Sequence, residues 1–137
     1  MNQPKPVTTA VVGYGFAGRS FHSYLVGLAA PALRLKGVVS SRPQARADIT
    51  GRLGVVAWEH LDEVLADDEV ELVVLATPND VHAPQAIAAL AAGKHVVTDK
   101  PMSLDGAEAD AMMAAARGSQ RLLTVFQNRR WDGDYLT

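Results

Sequence analysis

The sequence predicts an α/β protein built on a doubly wound, parallel sheet of six strands. Short apolar runs alternate with helix-like segments along nearly the whole chain, a pattern typical of parallel strands joined by helical crossovers. A glycine-rich turn, Gly13-Tyr14-Gly15-Phe16-Ala17-Gly18, follows the first apolar run and precedes the first helical segment. At 137 residues the chain is long enough for one domain with its own core.

Six apolar runs define the predicted strands, at 9–12, 33–39, 55–57, 71–76, 95–98 and 122–126. The strand at 71–76 contains Leu72-Val73-Val74-Leu75, a continuous apolar run without alternation, as expected of a strand that is buried on both faces. Helical segments lie between the strands, at about 16–29, 44–52, 61–65, 83–93 and 104–117. Pro31 is expected to end the first helix, and Ser103 is expected to cap the last one, which Gly118 ends.

The composition excludes several classes of protein. The chain has no cysteine, so disulfides, thiolate metal sites and a cysteine nucleophile are ruled out. Residues 1–7 lack the apolar core of a signal peptide, and no apolar run is long enough to span a bilayer. We therefore expect a soluble cytoplasmic protein with no membrane partner. The histidines show no metal-ligand spacing, and we predict no metal site.

The basic residues dominate the amino-terminal third of the chain. Residues 1–47 contain six Lys or Arg and no Asp or Glu, whereas all 15 acidic residues follow. A basic region around a glycine turn suits a phosphorylated small molecule, although solvated surface charge would give the same pattern. The basic residues form no run and have no interleaved aromatic residues, so we do not expect a nucleic acid partner.

The glycine turn has the G-x-G-x-x-G spacing of dinucleotide sites. Gly13 permits the tight turn, Gly15 lets a pyrophosphate approach the backbone, and Gly18 lets the helix pack against the strand. The helix then directs free N–H groups and its positive dipole end at the phosphates. Phe16 and Ala17 complete this predicted cofactor-binding turn. Methyltransferases use a similar turn, but they would need an acidic residue at the end of the second strand, and none is present there.

The second strand is followed by Ser40, Ser41 and Arg42, where NAD-binding domains usually carry an acidic residue for the ribose hydroxyl. A carboxylate would repel a 2′-phosphate, whereas a guanidinium binds it with two charge-assisted hydrogen bonds, and hydroxyl groups add more. We therefore expect NADP rather than NAD as the cofactor. The alternative interpretation is a plain turn with a solvated arginine.

Three further loops carry polar groups at the carboxyl edge of the predicted sheet, where ligands bind in such folds. Thr77-Pro78-Asn79, followed by His82, lies after the fourth strand, where a cofactor ribose or nicotinamide is expected. Asp99-Lys100-Pro101 follows the fifth strand, where Lys100 is placed to donate a hydrogen bond to a substrate oxygen. Residues 127–132 combine groups suited to a polyol or sugar. Taken singly, each loop also fits an ordinary turn, a surface ion pair or a linker.

Together these motifs resemble the glucose-fructose oxidoreductase and inositol dehydrogenase family, often called Gfo/Idh/MocA. The similar stretches are 13–18 with Phe21-His22, Thr77-Pro78-Asn79 with His82, 92–96, and Asp99-Lys100-Pro101. The family more often has Glu where this chain has Asp99. The Ser-Ser-Arg segment and residues 128–132 most resemble the NADP-dependent scyllo-inositol dehydrogenase branch.

The resemblance implies a Rossmann NAD(P)-binding domain with its core at about 7–127 and the start of a linker at 128–137. It implies that the glycines hold the pyrophosphate and that Ser41 and Arg42 hold the 2′-phosphate. The residues implied at the nicotinamide end are Thr77, Pro78, Asn79 and His82. The catalytic residue would be Lys100, which orients substrate and cofactor, with Pro101 following a cis peptide bond. The residues implied at the substrate site are Asn128, Arg129 and Trp131.

The implied reaction is hydride transfer between a secondary alcohol of a polyol or sugar and NADP. Family enzymes continue into a second domain with the substrate pocket, a catalytic histidine and usually the oligomer interface, and we expect that domain to be missing here. The chain alone should therefore have little activity, and its exposed sheet surface should favour a homo-oligomer. The alternative function is a stand-alone NADP-binding sensor or regulatory module.

Overall fold

A computed structural model describes residues 4–132 and confirms the predicted architecture. All strands are parallel and form one sheet in the order β3-β2-β1-β4-β5-β6. The strands are β1 Val7–Val12, β2 Leu33–Val39, β3 Val56–Trp58, β4 Leu72–Leu75, β5 His95–Thr98 and β6 Leu123–Val125. Because the strand order reverses at β1 and β4, a crevice suited to a ligand opens beyond their carboxyl ends.

Helices connect the strands and cover both faces of the sheet. They are α1 Ser23–Leu28, α2 Pro43–Asp48, α3 Leu61–Leu65, α4 His82–Ala91 and α5 Gly106–Ser119. A π-helical turn, Gly18–His22, leads into α1, and a second one, Ile49–Leu53, continues α2. Short 3-10 turns are formed by Asn79–Val81 and Asn128–Trp131. Among the described helices, none is long and apolar enough to cross a membrane.

Two apolar clusters lie on opposite faces of the sheet. Val12 of β1 and Leu75 of β4 pack on one face with residues of α3, α4 and α5. Val11 of β1 and Val74 of β4 pack on the other face with residues of α1 and α2. Successive residues of these central strands, from Thr8 in β1 and from Val73 in β4, are therefore buried, which explains why the sequence of β4 shows no alternation.

The start of α5 corrects the predicted cap. Asp105, and not Ser103, caps this helix, because its carboxylate accepts a hydrogen bond from the Glu108 N–H at 2.9 Å. The Glu108 carboxylate in turn accepts from the Leu104 N–H at 2.9 Å, which completes a reciprocal capping arrangement. Ser103 donates its hydroxyl to the Asp105 carbonyl instead.

The end of α5 also differs from the prediction. The helix runs past Gly118 to Ser119, and Gln120 is the residue that turns left-handed, with φ of 54°. The sequence predicted that the helix ends at Gly118, two residues before this left-handed residue. When the π-helical turns are counted with α1 and α2, the other elements begin and end within two residues of their predicted limits, as is normal for helix and strand ends.

Candidate functional site

A groove of about 750 Å³ opens beyond the carboxyl ends of β1, β2 and β4. Several of the predicted cofactor residues line it: Gly13, Gly15, Ser40, Ser41, Arg42, Thr77 and Pro78. They meet because β1 lies between β2 and β4 in the sheet, so the loops after these three strands share one edge. The sequence prediction therefore identified a contiguous surface from three separate stretches of chain.

Sequence reasoning missed other residues of this groove. Tyr14, Glu59, His60, Leu61 and Gln85 also line it. Glu59 and His60 directly follow β3, so the rule that ligands bind at carboxyl ends of strands would have found them. The loop after the short third strand carries no recognisable motif that would single it out.

The three glycines of the turn lie in different surroundings. Gly13 has φ of +100°, and a Cβ there would lie 2.5 Å from the Ala76 carbonyl oxygen. A Cβ on Gly18 would overlap the carbonyl oxygen of Gly13. A Cβ on Gly15 would meet no atom within 4 Å. The fold itself thus requires Gly13 and Gly18, whereas the space beside Gly15 at the groove is open.

Arg42 is held at the edge of the groove. Its Nη2 donates to the Tyr14 carbonyl at 2.9 Å, and its backbone N–H donates to Ser40 Oγ at 3.4 Å. Glu59 brings a carboxylate to the same groove, but that carboxylate pairs with Arg46 at 3.3 Å. Arg46 also donates to the Ser40 carbonyl at 2.9 Å. The Arg46 guanidinium therefore contacts both Ser40 and Glu59, and it offsets the negative charge of Glu59.

His82 is completely buried and joins the loops that follow β4 and β5. Its Nε2 lies 2.9 Å from the Thr77 carbonyl, and its Nδ1 lies 3.0 Å from the Pro101 carbonyl. Each ring nitrogen thus faces a backbone oxygen and not the groove. The Thr77 hydroxyl reaches Gln85 Oε1 at 2.7 Å, which holds the same loop to α4. Asn79 is exposed at the start of its 3-10 turn.

Asp99 is anchored from two sides. Its Oδ2 lies 3.1 Å from Nε2 of the buried His22, and its Oδ1 accepts from the Lys100 N–H at 2.7 Å. The His22 ring packs edge-on against Phe126, with ring centroids 4.9 Å apart. The Lys100–Pro101 peptide bond is cis, as the resemblance implied. These contacts fix the backbone that carries Lys100 beside the glycine turn.

The exposed Lys100 borders two cavities at the exits of β5 and β6. The larger cavity, of about 500 Å³, is lined by Lys100, Gln127, Asn128, Arg129 and Arg130. The smaller one, of about 150 Å³, is lined by Phe16, Ala17, Phe21, His22, Asp99, Lys100, Phe126 and Asn128. The predicted catalytic lysine therefore lies between the glycine turn and the predicted substrate residues.

Two of the predicted substrate residues, Arg129 and Trp131, lie in the last described turn of the chain. Arg129 forms an ion pair with Asp132 at 2.9 Å. Trp131 closes its 3-10 turn, but its side chain lies outside the described part of the structure, as do residues 133–137 of the predicted linker. Among residues 4–132, no three His, Asp or Glu side chains are grouped to hold a metal ion.

The sequence matches the family GFO_IDH_MocA, an oxidoreductase family with an NAD-binding Rossmann fold, over residues 7–127. It is 40% identical over 132 residues to the uncharacterized oxidoreductase YdgJ of Escherichia coli. It is 34% identical over 131 residues to scyllo-inositol 2-dehydrogenase (NADP(+)) IolW of Bacillus subtilis. Each alignment covers 96% of this chain, but only 37% and 36% of the respective relative.

Solved structures of oxidoreductases have the same fold as this chain over the matched region. The WlbA dehydrogenase of Chromobacterium violaceum, in complex with NADH and UDP-GlcNAcA, matches with a TM-score of 0.91 at 27% identity. That match covers 98% of this chain and 39% of the other. The present chain thus spans little more than a third of the length of these similar proteins.

Proposed function

The chain belongs to the Gfo/Idh/MocA oxidoreductase family as an NAD(P)-binding Rossmann domain, and on that premise we propose that it binds NADP for a dehydrogenase of polyols or sugars. The observation that carries this proposal is the end of β2, where Ser40, Ser41 and Arg42 line the groove in the place of a ribose-binding carboxylate. The 2′-phosphate of NADP supplies the charge that such a site needs.

The preference for NADP rests on the residues of this chain. The Tyr14 carbonyl orients the Arg42 guanidinium, which keeps further N–H donors for a phosphate. The nearby Glu59 carboxylate is paired with Arg46, so its repulsion of a phosphate is reduced. The relatives do not decide the question, since IolW is named as an NADP(+) enzyme whereas WlbA was solved with NADH.

Catalytic chemistry is proposed at Lys100. When bound, NADP would accept a hydride from the alcohol carbon, and the hydroxyl proton released as the ketone forms would go to the catalytic histidine that the family resemblance implies in the second domain. The side chain of Lys100 would hold the alcohol oxygen by a hydrogen bond, while Asn128 and Arg129 offer donors to neighbouring hydroxyl groups in the 500 Å³ cavity. A polyol or sugar suits this cavity because its walls are rich in amide and guanidinium groups.

The replacement of Arg42 by Ala tests the cofactor preference. We expect the affinity for NADPH to fall by about tenfold, because a charge-assisted contact is lost, with little change for NADH. Nicotinamide fluorescence during titration measures both affinities. Arg34→Ala is the matched control, since Arg34 lies at the opposite end of β2 and pairs with Glu69. Equal losses for NADPH and NADH in Arg42→Ala would contradict the proposal.

A chimera distinguishes a dehydrogenase from a sensor. The chain would be joined to the part of Bacillus subtilis IolW that follows the aligned region, and hydride transfer from a panel of polyols to NADP would be followed by absorbance. We expect turnover that Lys100→Met abolishes while NADPH affinity is retained. A chimera that binds NADPH and polyol without turnover would favour a sensor or regulatory module.

Self-association is also proposed, through the apolar surface beside β6. Leu104, Met113 and Leu122 are exposed there, and a cavity of about 490 Å³ between α5 and β6 includes the last two. Exposed apolar patches of this kind favour association. Sedimentation velocity should show concentration-dependent oligomers, and a monomer at high concentration would contradict the proposal.

A further inference from the structure

A second cavity, of about 270 Å³, adjoins the main groove at Arg42. Its lining residues are Tyr14, Arg19, Arg42, Gln44, Ala45 and Asp48. Tyr14 and Arg42 line both spaces, so the two are contiguous at the end of β2. A group attached to the ribose of a cofactor in the groove would emerge toward this cavity, because the residues after β2 contact the ribose in such folds.

Asp48 organises the positive charge at this cavity. Its Oδ2 accepts a hydrogen bond from the buried Tyr14 hydroxyl at 2.8 Å. The same oxygen lies 3.4 Å from Arg19 Nε and 3.4 Å from Arg52 Nε. The Tyr14 hydroxyl, followed by the two guanidinium groups, holds the pKa of Asp48 below its ordinary value, so the carboxylate is ionised at neutral pH.

Arg19 and Arg52 contact the same carboxylate oxygen but differ in their access to the cavity. Arg52 lies over the Tyr14 ring and donates an N–H of Nη2 to its hydroxyl, and it is not part of the cavity lining. Arg19 lines the cavity, and within residues 4–132 its terminal nitrogens donate no hydrogen bond to a protein acceptor. Arg19 therefore presents N–H donors to the same space as Arg42.

We propose that Arg19 is a second determinant of cofactor specificity, which binds the 2′-phosphate of NADP together with Arg42. Asp48 acts as a positioning residue, since its Oδ2 pairs with Arg19 Nε, and Tyr14 acts through Asp48 by its hydrogen bond to the same oxygen. Asp48 lines the cavity as well, but its negative charge is offset by Arg19 and Arg52. This inference rests on the proposed NADP function and adds a residue from a different part of the chain. A phosphate dianion matches two guanidinium groups in charge and in hydrogen-bond geometry.

The test uses two small probes that differ in the 2′-phosphate, adenosine 2′,5′-bisphosphate and 5′-AMP, each titrated calorimetrically into the full chain. Arg19→Gln should bind the bisphosphate about tenfold more weakly than the wild type does, with 5′-AMP affinity unchanged. Arg52→Gln loses an ion pair of the same length to Asp48 and should keep the wild-type ratio of the two affinities. Arg19→Lys retains the charge but lacks the planar guanidinium that donates two parallel hydrogen bonds. It should therefore keep part of the wild-type preference for the bisphosphate over 5′-AMP.

The outcomes separate this inference from the function on which it rests. A wild-type chain that binds both probes equally would overturn the NADP preference and the role of Arg19 with it. A wild type that prefers the bisphosphate, combined with an unchanged ratio in Arg19→Gln, would overturn the role of Arg19 alone. An equal loss of the ratio in Arg19→Gln and Arg52→Gln would also overturn it, because the effect would then come from the Asp48 network and not from phosphate contact.

Discussion

His22 Nε2 lies 3.1 Å from Asp99 Oδ2, although the two residues are 77 positions apart in the chain. The contact ties the helical turn after the glycine motif to the loop that carries Lys100. Because Asp99 also accepts a hydrogen bond from the Lys100 N–H, the position of Lys100 relative to the glycine turn is set within the protein itself. Such preorganisation is what a lysine that orients a substrate against a cofactor requires.

The substitution His22→Phe tests the contact between His22 and Asp99. The new ring keeps an aromatic contact with Phe126 but leaves Asp99 without one partner, which should cost about 1–3 kcal/mol of unfolding free energy. We also expect faster amide hydrogen exchange at Lys100, measured by NMR. The Leu122 amide, bonded to His95 Nδ1 at 3.0 Å, serves as an internal control. Unchanged exchange at Lys100 would show that His22 does not restrain this loop.

Two glycine variants separate folding from binding. Gly18→Ala places a methyl group onto the Gly13 carbonyl, so urea denaturation should reveal a strongly destabilised or unfolded chain. Gly15→Ala meets no protein atom within 4 Å and should fold with normal stability. We nevertheless expect Gly15→Ala to lose about tenfold or more in NADPH affinity, because the methyl group occupies the approach of the pyrophosphate. Normal NADPH affinity in Gly15→Ala would exclude the groove beside this turn as the phosphate site.

The buried His82 is expected to be a major stabilising residue of the site. His82→Ala removes the ring nitrogens that face the Thr77 and Pro101 carbonyls and opens a cavity, which should lower the unfolding free energy by about 2–4 kcal/mol. Chemical denaturation measures the loss. Asn79→Ala, an exposed change in the same loop, should stay within about 0.5 kcal/mol of the wild type. Equal stability of the two variants would refute the supporting role of His82.

Acid stability should depend on Asp67, far from the groove. Its Oδ2 lies 2.7 Å from Lys36 Nζ, and this contact lowers the pKa of Asp67. A lowered pKa in the folded state means that ionised Asp67 stabilises the fold above its ordinary pKa of 3.8, and that this contribution disappears as the pH falls through the folded value. Asp67→Asn should therefore be less stable than the wild type at pH 7, with a difference that shrinks in acid. Asp68→Asn, its exposed neighbour, removes the same formal charge, and a matching pH profile for the two variants would argue against the Lys36 contact.

The fold was predictable because each of its elements has a local signature. The apolar runs of β1 and β4 and the glycines between β1 and α1 specify strand, turn and helix without reference to distant residues. The cap of α5 was not predictable in this way, since Ser103 and Asp105 both suit a cap and only the geometry selects one.

Parts of the site were predictable because the carboxyl ends of parallel strands share one edge. This rule placed Arg42 and Thr77 in one groove from sequence alone. The pairing of His22 with Asp99 joins distant segments, and that of Arg19 with Asp48 joins α2 to the turn before α1. No sequence spacing predicts either pairing, so only the packed structure reveals which side chains are in contact.

The proposed function depends on the binding of NADP in the groove through its 2′-phosphate. The most direct measurement is a side-by-side titration of the purified wild-type chain with NADPH and NADH, followed by nicotinamide fluorescence. We expect saturable binding of NADPH that is at least about tenfold tighter than that of NADH, the ratio expected for one charge-assisted contact. Equal affinities, or binding of neither nucleotide, would contradict the proposed function.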